Sequence, residues 1–496
     1  MRRGGEGEWL RMQKSPALLS KNSGDWLYLG LVLFFILTIA FLLLVTPNDY
    51  WWYVRIGRDT LQSGAVPTVD ALSTTQAGSL VVYHSWLSAV LFWLLYCAGG
   101  FPLTVLARGV CLALAYALIW RLARRAGSGA KLASLLTLLA ALASFNNWSM
   151  RPQIFAYPLF TLALWALYRW QQGEGKIAWL LPVASLLWVN LHGSFVMLFL
   201  LAGAALVFGA GNRKELVLAL GASLAVTLVN PRGFGAWTYV VTSLSAPSSQ
   251  VFSVEWSPPI NTGWQMNLFF IWLLGFPFLA AFSPRKLSRL EWVWFLGFGL
   301  LALWGERYVI WFVLILTVLT ASLVAEWGQR WLDRPRRGGI PALDFSLAIL
   351  FIVMPLAVLP GLREGWWDKA PTPLENTPVQ AVEWLARHPE LPGPLWSEIG
   401  FSSYLEFALP SRPTWIDTRF EVFPVEQWEQ YRAINRGEWN WQALLDEAAV
   451  NLLMVSKSEQ PRLLSALEAS PAWCPVYRDE VAVIYQRNTS DLCGGK

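Results

Sequence analysis

The sequence predicts a multi-span α-helical membrane protein that ends in a small α/β domain, and three observations carry that expectation. Apolar stretches run from Trp26 to Pro360 with only short loops between them, and several of these reach the span length of a bilayer. Trp26–Thr46, Pro102–Trp120, Trp264–Phe282 and Ala342–Pro360 each approach the roughly 20 residues that cross a ~30 Å hydrocarbon core at 1.5 Å per residue. Only 14% of the residues are charged, 55% are hydrophobic and 31 are tryptophan. A soluble domain carries about 25% charged residues, and surplus indole belongs at membrane interfaces. From about Gly361 the composition turns mixed, and helix and strand patterns alternate to the end of the chain.

The first apolar stretch, Trp26–Thr46, is longer than a signal-peptide core and ends in Val45-Thr46-Pro47-Asn48-Asp49 without a small-x-small cleavage site. It reads as an uncleaved signal anchor. Orientation follows from Lys and Arg, which mark the cytoplasmic side. The basic loops are Arg2/Arg3/Arg11/Lys14/Lys21, Arg121/Arg124/Arg125/Lys131, Arg213/Lys214, Arg285/Lys286/Arg289 and Arg330/Arg334/Arg336/Arg337. All five lie on one side if the short stretch His84–Cys97 does not cross but forms a juxtamembrane or re-entrant helix; if it crosses, the parity of everything after it flips or another span is lost. With His84–Cys97 outside, about 11 spans are expected, near 27–46, 102–122, 132–146, 154–171, 177–191, 195–211, 215–230, 264–283, 289–304, 308–326 and 342–360. Segment 1–25 is then cytoplasmic, 47–101 is an outer loop, and 361–496 is an outer domain.

Within that domain the patterns predict helices at Pro378–His388, Phe401–Leu409, Gln427–Ile434, Trp441–Glu447 and Pro461–Ala469. Strands are expected at Pro394–Ser397, Thr414–Asp417 and Asn451–Ser456, with a terminal hairpin of Pro475–Asp479 and Glu480–Gln486. Arg412, Asp417, Arg419 and Glu421 cluster around Thr414–Asp417, either as a surface site or as an ion-pair network. Cys97 and Cys111 fall in apolar segments. Cys474 and Cys493 either close a loop, stabilising the domain by about 3 kcal/mol in an oxidising compartment, or stay as thiols.

Several function classes recede. The net charge is only +5 and its arginines sit in inter-helix loops, so nucleic acid is a poor partner. There is no Walker loop, dinucleotide glycine pattern, CxxC or HExxH, three histidines argue against a His-rich metal site, and no inverted repeat of the transporter kind is visible.

The outer side, by contrast, collects chemistry. Asp49 follows the first span directly, with Tyr50, Trp51 and Trp52 to shield it, and is either a general base with a raised pKa or the cap of the next helix. Asp70, in a Pro-Thr-Val-Asp turn, and Glu255, in Glu-Trp-Ser-Pro-Pro, are further candidate carboxylates. Arg151, Arg232 and Arg307 are either clamps for a phosphate or snorkelling, ion-paired arginines. His192 next to Gly193 either touches a ligand or caps a helix, and His84 and Trp52 complete the candidate substrate-binding set.

The stretch from Pro47 to Arg125 resembles the GT-C superfamily of membrane glycosyltransferases, in particular relatives of the protein O-mannosyltransferase and aminoarabinose transferase group. The matching pieces are Asn48-Asp49-Tyr50-Trp51-Trp52, His84-Ser85-Trp86-Leu87, Gly99-Gly100-Phe101-Pro102 and Arg121-Leu122-Ala123-Arg124-Arg125. Arg151-Pro152-Gln153, Asn190-Leu191-His192-Gly193, Asn230-Pro231 and Trp415-Ile416-Asp417-Thr418-Arg419 are also similar to a group of bacterial membrane proteins. The resemblance implies a transferase in the bacterial inner membrane that takes a sugar from a polyprenyl-phosphate lipid on the outer face. Asp49 would deprotonate the acceptor hydroxyl and an arginine would stabilise the departing phosphate. One departure stands out: the aminoarabinose group usually places an Asp-Glu pair or a second Asp where this chain has Asp49-Tyr50 and Arg151. No cofactor is fixed by the residues, and a divalent metal stays open. A noncatalytic subunit of an envelope complex and a transporter of lipid-linked glycans are the other two readings.

Overall fold

The computed structural model describes residues 23–43, 45, 48–332, 341–358, 374 and 376–488. Residues 1–22, the basic positions 334–337, the junction 361–373 and Cys493 lie outside the described residues. In chain order the bundle contains α1 (Ser23–Leu42), α2 (Tyr50–Ser63), α3 (Trp86–Arg125), α4 (Ala130–Ala143), α5 (Ala156–Gln171), α6 (Leu180–Leu191) and α7 (Val196–Phe208). It continues with α8 (Arg213–Thr227), α9 (Gly235–Ser245), α10 (Pro247–Phe252), α11 (Gly263–Phe282), α12 (Arg289–Trp304), α13 (Val309–Trp331) and α14 (Pro341–Val358). A helix stands at each of the predicted span positions. Three runs are long and apolar enough to cross a membrane by length and composition: α3, α11 and Glu306–Trp331, which contains α13.

Burial explains their arrangement. From Val309 to Leu323 every residue of α13 is buried, which makes it the axis of the bundle, since a helix apolar all round must be enclosed. On α11, Ile271, Leu274, Phe278 and Phe282 are each at least 65% exposed, a stripe at three- and four-residue steps that suits lipid rather than water.

The helix α3 carries a break. Gly99 and Gly100 leave helical geometry, Gly100 with φ 65°, a left-handed conformation that glycine adopts without steric cost. Residues 86–98 are therefore set off from 101–125 by a kink. The former lie on α2 at very short range: a Cβ on Gly57 would run into the carbonyl of Ala89.

The segment between α8 and α11, expected as loop, contains α9 and α10. At 11 and 6 residues both are too short to read as spans.

The carboxy-terminal domain contains α15 (Val379–Ala386), β1 (Leu395–Ser397), α16 (Ile399–Ala408), α17 (Val425–Asn435), α18 (Trp441–Glu447), β2 (Leu452–Ser456), α19 (Pro461–Glu468), β3 (Trp473–Arg478) and β4 (Ala482–Arg487). The sheet runs β1-β2-β4-β3, with β1 and β2 parallel and the other pairs antiparallel; Trp396 stands opposite Leu453 and Met454 opposite Ile484. Alternate residues of β2 enter opposite cores, Leu453 and Val455 with Trp396 and Trp428, Leu452 and Met454 with Phe401 and Leu405, so both faces are covered. Cys474 is disulfide-bonded.

Thr414–Asp417 departs from the strand expected there. Thr414 makes only isolated bridges, to Leu395 on one side and to Ser73, in the loop after α2, on the other. Extension ends at Asp417, whose Oδ1 accepts from the Arg419 amide at 2.8 Å and turns the chain.

The domain sits on α2 and the loop that follows it, residues 64–85. The Trp52 amide donates to Ser403 Oγ at 3.1 Å and Arg55 Nη1 to the Glu406 carbonyl at 2.9 Å. The Trp51 ring meets Tyr404 and Phe407, each with centroids 5.0 Å apart.

Candidate active site

Three loops at this end of the bundle share one construction: an extended residue leads into a 3-10 turn that starts the next helix. Arg151 is extended at φ −136°, ψ 160° ahead of the turn Pro152–Phe155, because a proline disfavours helical geometry in the residue before it. His192 does the same before Gly193–Phe195, and Gly305 before Glu306–Tyr308. The three loops bring Arg151, His192 and Arg307 to the wall of one cavity of about 250 Å³. Asp49, Trp52 and Tyr53 line it from the start of α2, His84 from the loop after α2, and Tyr239 from α9. Glu255 and Trp256 follow, and the carboxy-terminal domain contributes Thr418 to Val422.

Asp49 occupies the N-cap position of α2, yet its side chain makes no capping hydrogen bond. Its Oδ2 instead pairs with Arg151 Nε at 3.0 Å, and Arg151 Nη1 donates to Glu255. Burial raises the Asp49 pKa above the usual carboxylate range; Arg151, and more weakly Thr418, pull the other way without cancelling it. Against the effect of burial, Asp49 and Glu255 hold the Arg151 guanidinium firmly charged.

The histidines are neutral. Burial, helped by Arg307, drives His84 down to about 3, and burial with His84 and Arg307 keeps His192 well below 6.5. The His84 ring stacks on Tyr239 with centroids 4.1 Å apart and meets His192 at 5.8 Å. The Ser194 amide donates to His192 Nδ1 at 3.1 Å, which assigns the His192 proton to Nε2. Both rings can therefore serve a neutral ligand without bringing charge.

Arg307 lies over the Trp256 ring at 4.3 Å and forms no ion pair among the described residues. Trp52 closes the wall, its indole donating to Thr418 Oγ1 at 3.1 Å.

Two expected residues lie apart from the cavity. Arg232 donates to the Val81 carbonyl at 2.6 Å and so holds the loop after α2. Asp70, 2% exposed, accepts from Arg419 Nη1 at 2.6 Å and from the Ser73 amide at 3.1 Å. The structure thus brings together Asp49, Glu255, Arg151, Arg307, His84, His192 and Trp52, and sets Asp70 and Arg232 in the framework around them.

Sequence reasoning missed Tyr239, whose hydroxyl donates to Glu421 at 3.1 Å. It also placed Glu421 only in a domain-surface cluster, whereas its carboxylate faces the cavity. The available signal was the spacing Gly235, Tyr239, Ser243, one face of a helix.

The cavity is apolar in part. Val196, Met197 and Leu200 of α7, Val240 and Leu244 of α9, and Leu301 and Trp304 of α12 line it. Leu200 and Trp304 are about half exposed.

A divalent metal does not fit what is present. Among the described residues no three His, Cys, Asp or Glu side chains are grouped to hold an ion, and a guanidinium already stands between Asp49 and Glu255.

No protein-family model matches the chain, and no curated protein matches its sequence. Solved structures do match in shape. The apo oligosaccharyltransferase of Archaeoglobus fulgidus aligns over 94% of this chain and 75% of its own, at 13% identity and a TM-score of 0.56. The apo ArnT of Cupriavidus metallidurans aligns over 93% and 97%, at 16% identity and TM-score 0.50. The mycobacterial arabinofuranosyltransferase AftD aligns over 93% of this chain but 41% of its own, at 15% identity and TM-score 0.53. At identities this low it is the architecture that is shared, and the chain has the GT-C glycosyltransferase fold.

Proposed function

We propose that this protein is a membrane glycosyltransferase that moves a sugar from a polyprenyl-phosphate donor to an acceptor hydroxyl, at the outer face of a bacterial inner membrane. The observation that carries the reading is one cavity whose wall holds both charged groups, Asp49, Arg151 and Arg307 among them, and apolar side chains that include the half-exposed Leu200 and Trp304. A sugar joined through phosphate to a long isoprenoid needs those two environments side by side.

In this reading Asp49 takes the proton of the acceptor hydroxyl as its oxygen bonds to the anomeric carbon. The bond from that carbon to the phosphate oxygen breaks, and the phosphate leaves with the electron pair. Its developing charge falls to Arg307, because Arg151 is engaged by two carboxylates. Neutral His84 and His192 hydrogen-bond sugar hydroxyls, and Trp52 and Trp256 offer faces to the ring. The raised Asp49 pKa suits a group that must accept a proton.

The test uses the purified protein in lipid nanodiscs with labelled undecaprenyl-phosphate sugars, following release of undecaprenyl phosphate. Turnover by wild type and its loss in Asp49→Asn supports the reading. Tight donor binding without any turnover would point to a noncatalytic envelope subunit or a glycan transporter.

A further inference from the structure

Asp49 and Glu255 come from segments far apart in the chain and meet across one side chain. Arg151 Nε lies 3.0 Å from Asp49 Oδ2, and Nη1 donates to Glu255 Oε1. The Arg151 and Asp49 side chains are only 17% and 16% exposed, so water screens the group poorly. Two carboxylates facing each other there would repel, and one would hold a proton, unless a cation stood between them. Hard oxygen ligands in that relation ordinarily suit Mg²⁺, Mn²⁺ or Ca²⁺. Here the interval is filled by a guanidinium that cannot dissociate or be chelated and does not lose its charge in the physiological range. The chain also spends an extended residue, fixed by Pro152, on delivering it.

We propose that Arg151 is the built-in cation of this site, a positioning residue that holds Asp49 and Glu255 where a divalent metal ion would otherwise bridge them, so that the protein works without one. One guanidinium against two carboxylates leaves the trio at a net charge of minus one, which a leaving phosphate would not approach. That assigns the phosphate to Arg307 alone and confines Arg151 to setting the orientation and proton affinity of Asp49. The metal claim stands on geometry; the effect on Asp49 as a base rests on the transferase reading above.

The experiment titrates Mn²⁺ into the full-length protein in nanodiscs and reads free Mn²⁺ by electron paramagnetic resonance. Wild type should match Asp49→Asn, with no saturable site that depends on Asp49, and its unfolding temperature should be the same with and without EDTA. Arg151→Asp puts a third carboxylate where the guanidinium was, and should gain a saturable Mn²⁺ site that disappears again when Asp49→Asn is added. An Asp49-dependent Mn²⁺ site in wild type overturns the proposal, as does a folded Arg151→Asp that gains none. If Arg151→Asp does not fold, the wild-type titration still decides. For positioning, the acid limb of the pH–rate profile should move up by about 1–3 pH units in Arg151→Gln as Asp49 loses its ion pair, and return toward wild type in Arg151→Lys. An unmoved profile removes the positioning role. Absence of turnover in every variant would instead count against the transferase reading, with the Mn²⁺ result still legible.

Discussion

Arg151 and Arg419 are each held between two carboxylates, and each ties together distant parts of the chain, yet they sit in different surroundings. Arg419 binds Asp70 of the loop after α2 and Asp417 of the carboxy-terminal domain, with side chains 0–2% exposed, and also donates to the Tyr83 hydroxyl at 2.9 Å. Arg151 binds Asp49 and Glu255 with side chains 16–38% exposed, beside the cavity. A closed network with every group engaged has nothing to offer a ligand and serves as a latch; a buried charge of this kind is tolerated only while its partners stay in place. The partly open network can change partners. Both arginines line the cavity, and what separates framework from site is how completely each guanidinium's partners are buried.

The sharpest way to break this comparison is Arg419→Ala. It strands two buried carboxylates, and the expected loss is about 3–5 kcal/mol, read as lowered folded yield and unfolding temperature. Arg151→Ala should cost less, because only one of its two carboxylates, Asp49, is largely buried, while Glu255 is 38% exposed. Equal losses would erase the distinction between latch and site.

Asp49→Asn keeps shape and removes the basic oxygen. Transfer should fall by roughly 10²–10⁴ with little change in thermal stability, whereas Asp70→Asn should act chiefly through stability. The two carboxylates are told apart by which measurement moves.

A smaller effect is expected at the phosphate. Removing Arg307 should weaken undecaprenyl-phosphate binding by roughly 10–100-fold, the loss of a charge-assisted hydrogen bond of about 1.5–3 kcal/mol. Arg232→Ala should leave that affinity close to wild type, since Arg232 engages the Val81 carbonyl. A filter-binding assay with labelled lipid reads both.

The smallest effect concerns pH. His84 is held at about 3 in the fold against roughly 6.5 when unfolded. As pH falls below about 6.5 the unfolded chain takes up a proton that the folded chain refuses, so this contribution is complete above that pH and is lost below it. Asp49 and Glu398, whose pKa values are raised by burial, act in the opposite direction, so the measurement is the difference between wild type and His84→Gln. Between pH 7 and 5.5 wild type should lose about 1 kcal/mol more than the variant. Parallel curves would mean that His84 is protonated in the fold.

Much of this arrangement is legible residue by residue. Asp49 stands out because it directly follows an apolar stretch and precedes three aromatics, and Pro152 forces the extended Arg151. The glycine pair at 99–100 marks the bend in α3. The helix α9 is not legible, because at 11 residues it is too short to read as a span. Its cavity face becomes meaningful only when Glu421 arrives from the carboxy-terminal domain. Asp70 and Arg232 look as eligible as Asp49 and Arg307, being polar residues in loops on the same expected side.

What the sequence determined by itself is therefore local: the helices, whose apolar runs are set by hydropathy, the alternating strands and helices after residue 378, and the backbone breaks before Pro152 and at Gly100. Hydropathy and backbone preference act over a few residues, and so they survive reading along a line. Which carboxylate meets which arginine was decided only by tertiary structure. Packing around α13 brings the loops holding Asp49, Arg151 and Glu255 within ion-pair distance, and docking of the carboxy-terminal domain draws Asp70 to Arg419. Ion pairing falls off over a few ångströms and depends on the water excluded around it, so nothing short of the folded arrangement selects the partners.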